Sequence, residues 1–483
     1  MENSDLKVLF GAFEASPFIK TGGLGDVAGA LPQYLHKEGV DCRVIMPLFS
    51  SIPKEYRDQM KKIDEFTVKL GWRNQYLGLY KLIYKDVIFY FLDNEYYFKR
   101  DNPYGYFDDG ERIAFFSKAI VDSINHISFS PNILHLNDWH TALSVIYLRE
   151  MYNNIDKYRN IKTIFTVHNL KFQGKFSPYV LGDTIDLEQY PNARRQLLEK
   201  DACNYMRGAL NYADYITTVS KTYAEEVQNS FYGEGLDEIF RRRRNIFRGI
   251  INGIDYNIYN PITDSSIYKS YSINTLPFKY DNKVALQKEL GLEENKDKCM
   301  IGLVTRLTSQ KGLDLLLPIF EEMMNTLDVQ FVMLGLGDKK YEDAFKYYSY
   351  KYKGRVSSNI YFSEEMSRKI YAASDLFLVP SIFEPCGLSQ LIAMRYLSLP
   401  IVRQTGGLKD TVIPYNKYTK EGTGFGFLNI NAHELLWTIK DAVNLYISDR
   451  ATFNELIKNA SEKDYSWSNS AKEYIKLYHE CVS

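Results

Sequence analysis

Thr21-Gly-Gly-Leu-Gly-Asp26 and Thr405-Gly-Gly-Leu-Lys-Asp410 are two copies of one hexapeptide, set near opposite ends of a 483-residue chain. Each follows a short apolar run, Val8 to Phe13 in the first case and Pro400 to Val402 in the second, and each precedes a helix-compatible stretch. A Gly-Gly turn opening a helix lets backbone N–H groups approach an anion, and the helix dipole adds about half a positive charge there. Two such turns imply a phosphate-bearing ligand held in a cleft between two similar lobes.

Outward from the first copy, strand-like and helix-like runs alternate, the pattern of βαβ units and parallel sheets. Strands are expected at 7–13, 42–46, 87–92, 133–136, 163–167 and 215–219, with helices at 26–37, 111–125, 141–151, 193–212 and 221–228. A polar stretch rich in Asn, Asp, Pro and Ser, 255–272, reads as the passage between lobes. The pattern then restarts, with strands expected at 300–305, 329–334, 359–362, 376–380 and 400–402 and closing helices from Ala432 onward. The expected fold is α/β: two Rossmann-like, doubly wound lobes facing across a deep cleft. They span 1–254 and 255–461, and 462–483 is expected to form a helix returning to the first lobe. In open sheets of this kind ligands sit beyond the carboxyl ends of the strands, where every motif named below lies.

The chain carries 59 basic and 60 acidic residues, a formal net charge of -1, which gives no overall argument for nucleic acid or an anionic membrane. Its five cysteines (Cys42, Cys203, Cys299, Cys386, Cys481) are scattered without CxxC spacing, which fits a reducing compartment and neither a zinc ribbon nor a disulfide framework. No signal peptide, transit peptide or membrane-length apolar stretch is read, so a cytoplasmic protein is expected. The 39 tyrosines and 28 phenylalanines serve core and surface filling, and some could line a sugar groove.

Individual residues sharpen the picture. Lys20 sets an ammonium beside the first Gly-Gly turn, which is neither GxGxxG nor GxxxxGK[ST], so dinucleotide and P-loop readings are disfavoured. In His135-Leu-Asn-Asp-Trp-His140 the histidine spacing is wrong for zinc on one helical face. Asp138 beside Trp139 suits carbohydrate, the acid accepting hydroxyl hydrogen bonds and the indole packing on a C–H face. A buried Trp with a helix-capping Asp is the competing reading. His168, in Thr166-Val-His-Asn169, is a structural histidine, or one that donates to a sugar hydroxyl or polarises a reacting group. Arg306 and Lys311 place two cations at a helix start, against the dipole, a conflict that a bound diphosphate resolves. Glu384, in Pro380-Ser-Ile-Phe-Glu-Pro-Cys-Gly-Leu388, is placed to balance positive charge on a reacting carbon, while Cys386 reads as a packed thiol. The run Arg241 to Arg244 reads as a solvated face.

Together, Lys20-Thr-Gly-Gly-Leu24, His135-x-x-Asp-Trp-His140, Thr166-Val-His-Asn169, Ile251-Asn-Gly-Ile-Asp255, Arg306-x-x-x-x-Lys311, Glu384-Pro-Cys-Gly-Leu388 and Thr405-Gly-Gly-Leu408 resemble, in order, the bacterial glycogen synthase and plant starch synthase family. The resemblance implies a retaining transferase of the two-lobed GT-B type, moving glucose from ADP-glucose to the non-reducing end of an α-1,4-glucan such as glycogen. It implies an acceptor-side first lobe, a donor-side second lobe and no metal or other cofactor. By the same resemblance Lys20, Gly23 and Asp26 face the donor, Asn252 lies at the crossing, and Arg306 and Lys311 grip the diphosphate. Glu384 is the implied catalytic carboxylate, with Cys386, Gly387 and Leu388 at the glucose hydroxyls and Thr405, Gly406 and Gly407 completing the nucleotide pocket. Glu14, Tyr97, Asp138, Trp139, His168 and Asn169 line the implied sugar and acceptor region. Phe362 stands where relatives commonly place a Tyr against adenine, and Ile392 where some carry a second Glu.

Overall fold

Val8, Leu9 and Phe10 have no exposed surface, nor do Val44, Ile45 and Met46, nor Ile133, Leu134 and Leu136. Apolar runs that accept burial on both faces form the inner strands of a parallel sheet covered by helices. The computed structural model describes residues 2–483. Its first strands are β1 (Lys7–Gly11), β2 (Asp41–Pro47), β3 (Lys61–Leu70), β4 (Arg73–Tyr84), β5 (Val87–Asp93), β6 (Ile133–Asn137) and β7 (Lys162–Val167). The two-residue strands β8 (Lys175–Phe176) and β9 (Cys203–Asn204) follow, then β10 (Tyr215–Thr218) and β11 (Phe247–Gly249).

Nine of these form one sheet in the order β11-β10-β7-β6-β1-β2-β5-β4-β3. β1 lies parallel to both β2 and β6, with Phe10 opposite Val44 on one side and His135 on the other. The chain winds from β1 toward β5, then returns to lay β6 on the free side of β1. The topological switch point is therefore the gap between the carboxyl ends of β1 and β6, the usual ligand position in open α/β sheets.

The second sheet has β12 (Cys299–Val304), β13 (Val329–Leu334), β14 (Val356–Asn359), β15 (Leu376–Val379), β16 (Leu399–Arg403) and β17 (Phe425–Phe427), in the order β14-β13-β12-β15-β16-β17 and parallel throughout. Its switch point falls between β12 and β15. The chain divides into Met1–Asn252 with Trp467–Ser483, and Gly253–Ser466. The helix Trp467–Val482 belongs to the first unit, where Tyr474 and Tyr478 are fully buried and Ser470 Oγ donates to Ile251 O at 2.7 Å.

Three expectations are corrected. β3 and β4 form an antiparallel hairpin continuing onto β5, an edge that the sequence reading did not contain. The expected helix 193–212 is two helices, Pro191–Leu197 and Tyr205–Tyr212. Between them Leu198 turns extended, Cys203 and Asn204 pair with β8, and Asn204 restarts the helix by accepting Arg207 N–H at 3.0 Å. The strand expected at 359–362 ends at Asn359, because Ser363 is already the N-cap of the helix Glu364–Ala373.

Candidate active site

In the first lobe the first Gly-Gly turn already closes on a carboxyl group. Glu14, three residues past β1, is 2% exposed. Its Oε2 accepts Thr21 N–H at 2.7 Å and Thr21 Oγ1–H at 2.5 Å, and its Oε1 accepts Gly25 N–H at 3.1 Å. Burial raises its pKa above the ordinary carboxylate value despite these donors. The turn opens the helix Gly23–Lys37, and Lys20 pairs with Asp26 at 2.7 Å across it, both side chains partly exposed. The part of the turn left open is thus Gly23, where an added Cβ would meet nothing within 4 Å.

Across the switch point, β6 ends in Asn137 and Asp138. Asp138 adopts φ 57°, ψ 176°, a region almost reserved for glycine. Its N–H donates to Thr166 O at 2.9 Å and its C=O accepts Thr141 N–H at 3.1 Å, which holds the strained peptide. The carboxylate does not cap the following turn; its Oδ1 accepts His168 N–H at 2.7 Å, tying β6 to the end of β7. Burial raises Asp138 to about 7. His168 Nε2 lies 2.9 Å from Asn137 Oδ1, and burial lowers the ring to about 3, so it is neutral. Tyr104, which the sequence did not flag, hydrogen-bonds Thr21 Oγ1 and stacks on His140 at 5.3 Å.

His135 and His140 do not converge. His135 is sealed between Tyr478 OH and Thr166 Oγ1, each at 2.7 Å, while His140 stacks on Phe13. Among the described residues no group of three His, Cys, Asp or Glu side chains is placed to hold a metal ion. Trp139 packs against Phe176 and His140, so close to Gly174 that a Cβ there would overlap the indole. Tyr97 is in the core, 1% exposed, its hydroxyl donating to Glu111 Oε1 at 2.6 Å, so this ring does not line a groove. Asn169 accepts Lys171 N–H at 3.1 Å, and Asn252 is buried with its Oδ1 lacking a partner. Arg243 binds the carbonyls of Asn211 and Ala213 and Arg241 pairs with Asp237, so the arginine run braces a helix end.

In the second lobe, two loops separated by 73 residues in sequence meet at the β12–β15 switch point. Lys311 Nζ donates to Glu384 Oε2 at 2.6 Å, and Ser381 Oγ donates to the same oxygen at 2.9 Å. Ile382 N–H donates to Gln310 O at 2.8 Å, and Gly312 fits against Pro380 O where a Cβ would overlap it. The buried Arg403, at the end of β16, donates to Ser381 O at 3.1 Å and to Ile382 O. These contacts hold a cavity of about 50 Å³ lined by Thr305, Lys311, Ser381, Glu384, Gly387 and Leu388 among others. Lys311, expected to sit against the helix dipole until an anion arrives, is already balanced by Glu384. Arg306 is exposed and makes no ion pair among the described residues.

The second Gly-Gly is unlike the first. Gly407 N–H donates to Glu384 O at 3.1 Å and Pro385 O at 3.2 Å. A Cβ on Gly406 would overlap Glu384 O, and one on Gly407 would overlap Cys386 O. Gly406 and Gly407 are therefore the seat of the Glu384 loop, with the buried Thr405 just before them. Gln390 clamps that loop from below, its Nε2 donating to Cys386 O at 3.1 Å and Gly387 O at 2.9 Å. Ser381 and Arg403 were missed in the sequence; the Ser-x-x-Glu spacing was the available signal for the first. Phe362 is 81% exposed beyond β14, and Ile392 is buried in the helix Ser389–Arg395.

Two doubly wound lobes, each with its polar residues gathered at the switch point, define a sugar transferase of the GT-B class. A family model described as the starch synthase catalytic domain matches residues 7–242, and one described as glycosyl transferases group 1 matches 287–463. The chain is 50% identical to the glycogen synthase of Clostridium novyi over 474 residues, 98% of each chain. It is also 50% identical to that of Lachnospira eligens over 476 residues, 98% of this chain and 99% of that one. The catalytic domain of starch synthase IV from Arabidopsis thaliana, solved bound to ADP and acarbose, superposes with a TM-score of 0.90 at 32% identity over 99% of both chains. A sucrose-phosphate synthase from Thermosynechococcus elongatus shares the fold alone, with a TM-score of 0.61 at 17% identity over 98% of both chains. The chain belongs to the glycogen synthase and starch synthase family of glycosyltransferases. No helix among its described residues is long and apolar enough to cross a membrane.

Proposed function

We propose that the protein transfers glucose from ADP-glucose to the non-reducing end of an α-1,4-glucan, with retention of configuration, elongating glycogen and releasing ADP. The observation that carries this reading is the Lys311–Glu384 pair, with Ser381 on the same carboxylate oxygen, at the mouth of a cavity on the β12–β15 switch point. Arg306 and Lys311 receive the diphosphate and stabilise the leaving ADP. Preorganised cations aimed at developing charge are the largest electrostatic term available to such a step. Glu384 balances the positive charge that grows on the anomeric carbon. The acceptor hydroxyl attacks that carbon from the face the diphosphate leaves; the new C–O bond forms as the carbon–phosphate-oxygen bond breaks, and the hydroxyl proton passes to a diphosphate oxygen. Asp138 and His168, with Asn169 and the indole of Trp139, receive sugar hydroxyls in the first lobe. The work is cytoplasmic and needs neither nucleic acid nor a membrane.

Purified protein given labelled ADP-glucose and glycogen is expected to move label into polymer; no transfer from ADP-glucose or UDP-glucose overturns the reading. Glu384→Gln is expected to lower kcat by about 100- to 1000-fold with donor binding largely kept, the size of a lost electrostatic contact to a transition state.

A further inference from the structure

We propose that Asn137 is a positioning residue that fixes the His168 ring in its Nε2–H tautomer, so that His168 meets a substrate hydroxyl as a hydrogen-bond acceptor through Nδ1. The inference rests on the transferase reading for its substrate, but its tautomer does not. Asn137 is fully buried at the end of β6. Its Nδ2 donates to Gly11 O, at the end of β1, at 3.0 Å. A carbonyl only accepts, so the amide nitrogen must face Gly11 and the amide oxygen must face the other way, toward His168 Nε2 at 2.9 Å. That oxygen also only accepts, so Nε2 carries the proton.

The remaining question is whether Nδ1 carries one too. Burial lowers the ring to about 3, which leaves it neutral at physiological pH and leaves Nδ1 with a lone pair. The ionisable groups around the ring are Asp138, whose Oδ1 accepts the His168 backbone N–H at 2.7 Å, and His135, itself neutral by burial. Glu14 acts on Asp138, raising it further. No group among the described residues hydrogen-bonds Nδ1. The His168 side chain is only half-buried, and its Nδ1, unlike that of His140, is not a fully buried atom without a partner, which leaves a ligand access to it. With its donor taken by Asn137, the ring accepts from a hydroxyl in this arrangement instead of donating to one.

The direct test needs no substrate. Protein labelled with 15N-histidine, its His168 signals assigned by their loss in His168→Gln, is expected to show a protonated Nε2 and an unprotonated Nδ1 at neutral pH. A protonated Nδ1 overturns the proposal whatever the activity. Kinetics supply the second arm. Asn137→Leu is expected to lower kcat by about 10- to 100-fold at every pH, the effect of one lost hydrogen bond in the transition state. Asn137→Asp sets a carboxylate against Nε2, which favours the charged ring, in which Nδ1 is protonated and no longer accepts. Its activity is expected to recover as pH rises, with an acid limb displaced upward from that of the wild type. An Asn137→Asp profile parallel to wild type, with the same loss at every pH in a folded variant, overturns the positioning role.

Discussion

The two Thr-Gly-Gly-Leu-x-Asp copies share a spelling but not a physical job. In the first, the backbone donors of the turn face a side chain: Glu14 accepts from Thr21 and Gly25, and the glycines keep open space above Gly23. In the second, the glycines face backbone, with Gly406 against Glu384 O and Gly407 against Cys386 O. One copy is a socket with a carboxylate already at its base, and the other is a flat seat on which the loop bearing Glu384 rests. Glycine is required in the second for close approach of backbone; in the first Gly25 lies tight against Lys20, while Gly22 and Gly23 meet no crowding atom. A repeated motif therefore predicts two similar lobes better than it predicts two similar sites.

The sharpest break between the copies is expected from Gly406→Ala. Gly406 has φ 45°, and its new methyl would overlap a carbonyl that has nowhere to move without displacing Glu384. Left-handed strain of about 1–2 kcal/mol and overpacking of about 1–3 kcal/mol combine, and both fall on the loop that bears Glu384. Activity is expected to vanish with a lower denaturation midpoint. Gly407→Ala, without the left-handed strain, should lose less stability but comparable activity. If either variant melts and turns over like wild type, the seat is not a seat.

Next in size is the contrast between the two lysines. Lys311 lies on the buried Glu384, whereas Lys20 pairs with Asp26 at the partly exposed surface of its turn. Lys311→Met leaves a buried carboxylate without its cation and takes a cation from the proposed diphosphate site. Loss in kcat/KM of about 100-fold or more is expected, with a measurable loss of stability, since an unpaired buried charge is costly. Lys20→Met should weaken donor binding while changing stability by less than about 1 kcal/mol, the usual worth of an exposed pair. Equal stability losses in the two variants would erase this distinction.

Much of this organisation was legible because it rests on local pattern. The runs that became β1, β2, β6, β13 and β15 are apolar enough to be buried on both faces, and the motifs at their carboxyl ends followed from parallel topology. The β3–β4 hairpin was not legible, because its edge strand Lys61–Leu70 alternates weakly and carries charge on a half-exposed ribbon. The break at Leu198 depends on pairing with a strand of two residues. Glu14 is placed in the sugar region by the resemblance alone, and nothing in the sequence says that its loop folds back under the turn that follows it. Lys311 and Glu384 were each singled out, yet their pairing joins loops 73 residues apart and is set by sheet order alone.

The lobes also differ in how they keep an acid at the site, which pH can read. Glu384 is held by a cation, whereas Asp138 is held by backbone donors in a buried position, and burial raises it from 3.8 to about 7. Between those values the folded protein keeps a proton that the unfolded chain has released, so this group's contribution to stability falls as pH rises through that window. Asp138→Asn keeps an oxygen for the His168 N–H but cannot ionise. Relative to wild type, its urea midpoint is expected to climb as pH moves from about 4 to about 7. A constant difference between the two proteins would place Asp138 in an ionised state throughout.

The smallest effect on the fold is expected from Gly23→Ala, and it isolates what the first copy keeps glycine for. A Cβ at Gly23 meets no atom within 4 Å, and the residue begins a helix, where alanine is favoured. Replacing glycine where alanine fits without strain adds about 0.4–1 kcal/mol of stability through the unfolded chain. The melting midpoint should therefore hold or rise slightly, the opposite of Gly406→Ala. If the space above Gly23 is where a phosphate meets the remaining N–H groups of the turn, the same methyl should raise KM for the sugar nucleotide and leave kcat nearly unchanged. Were stability to rise with KM unmoved, the first Gly-Gly would be only a helix start over Glu14, and the anion logic of the turn would end at that internal carboxylate.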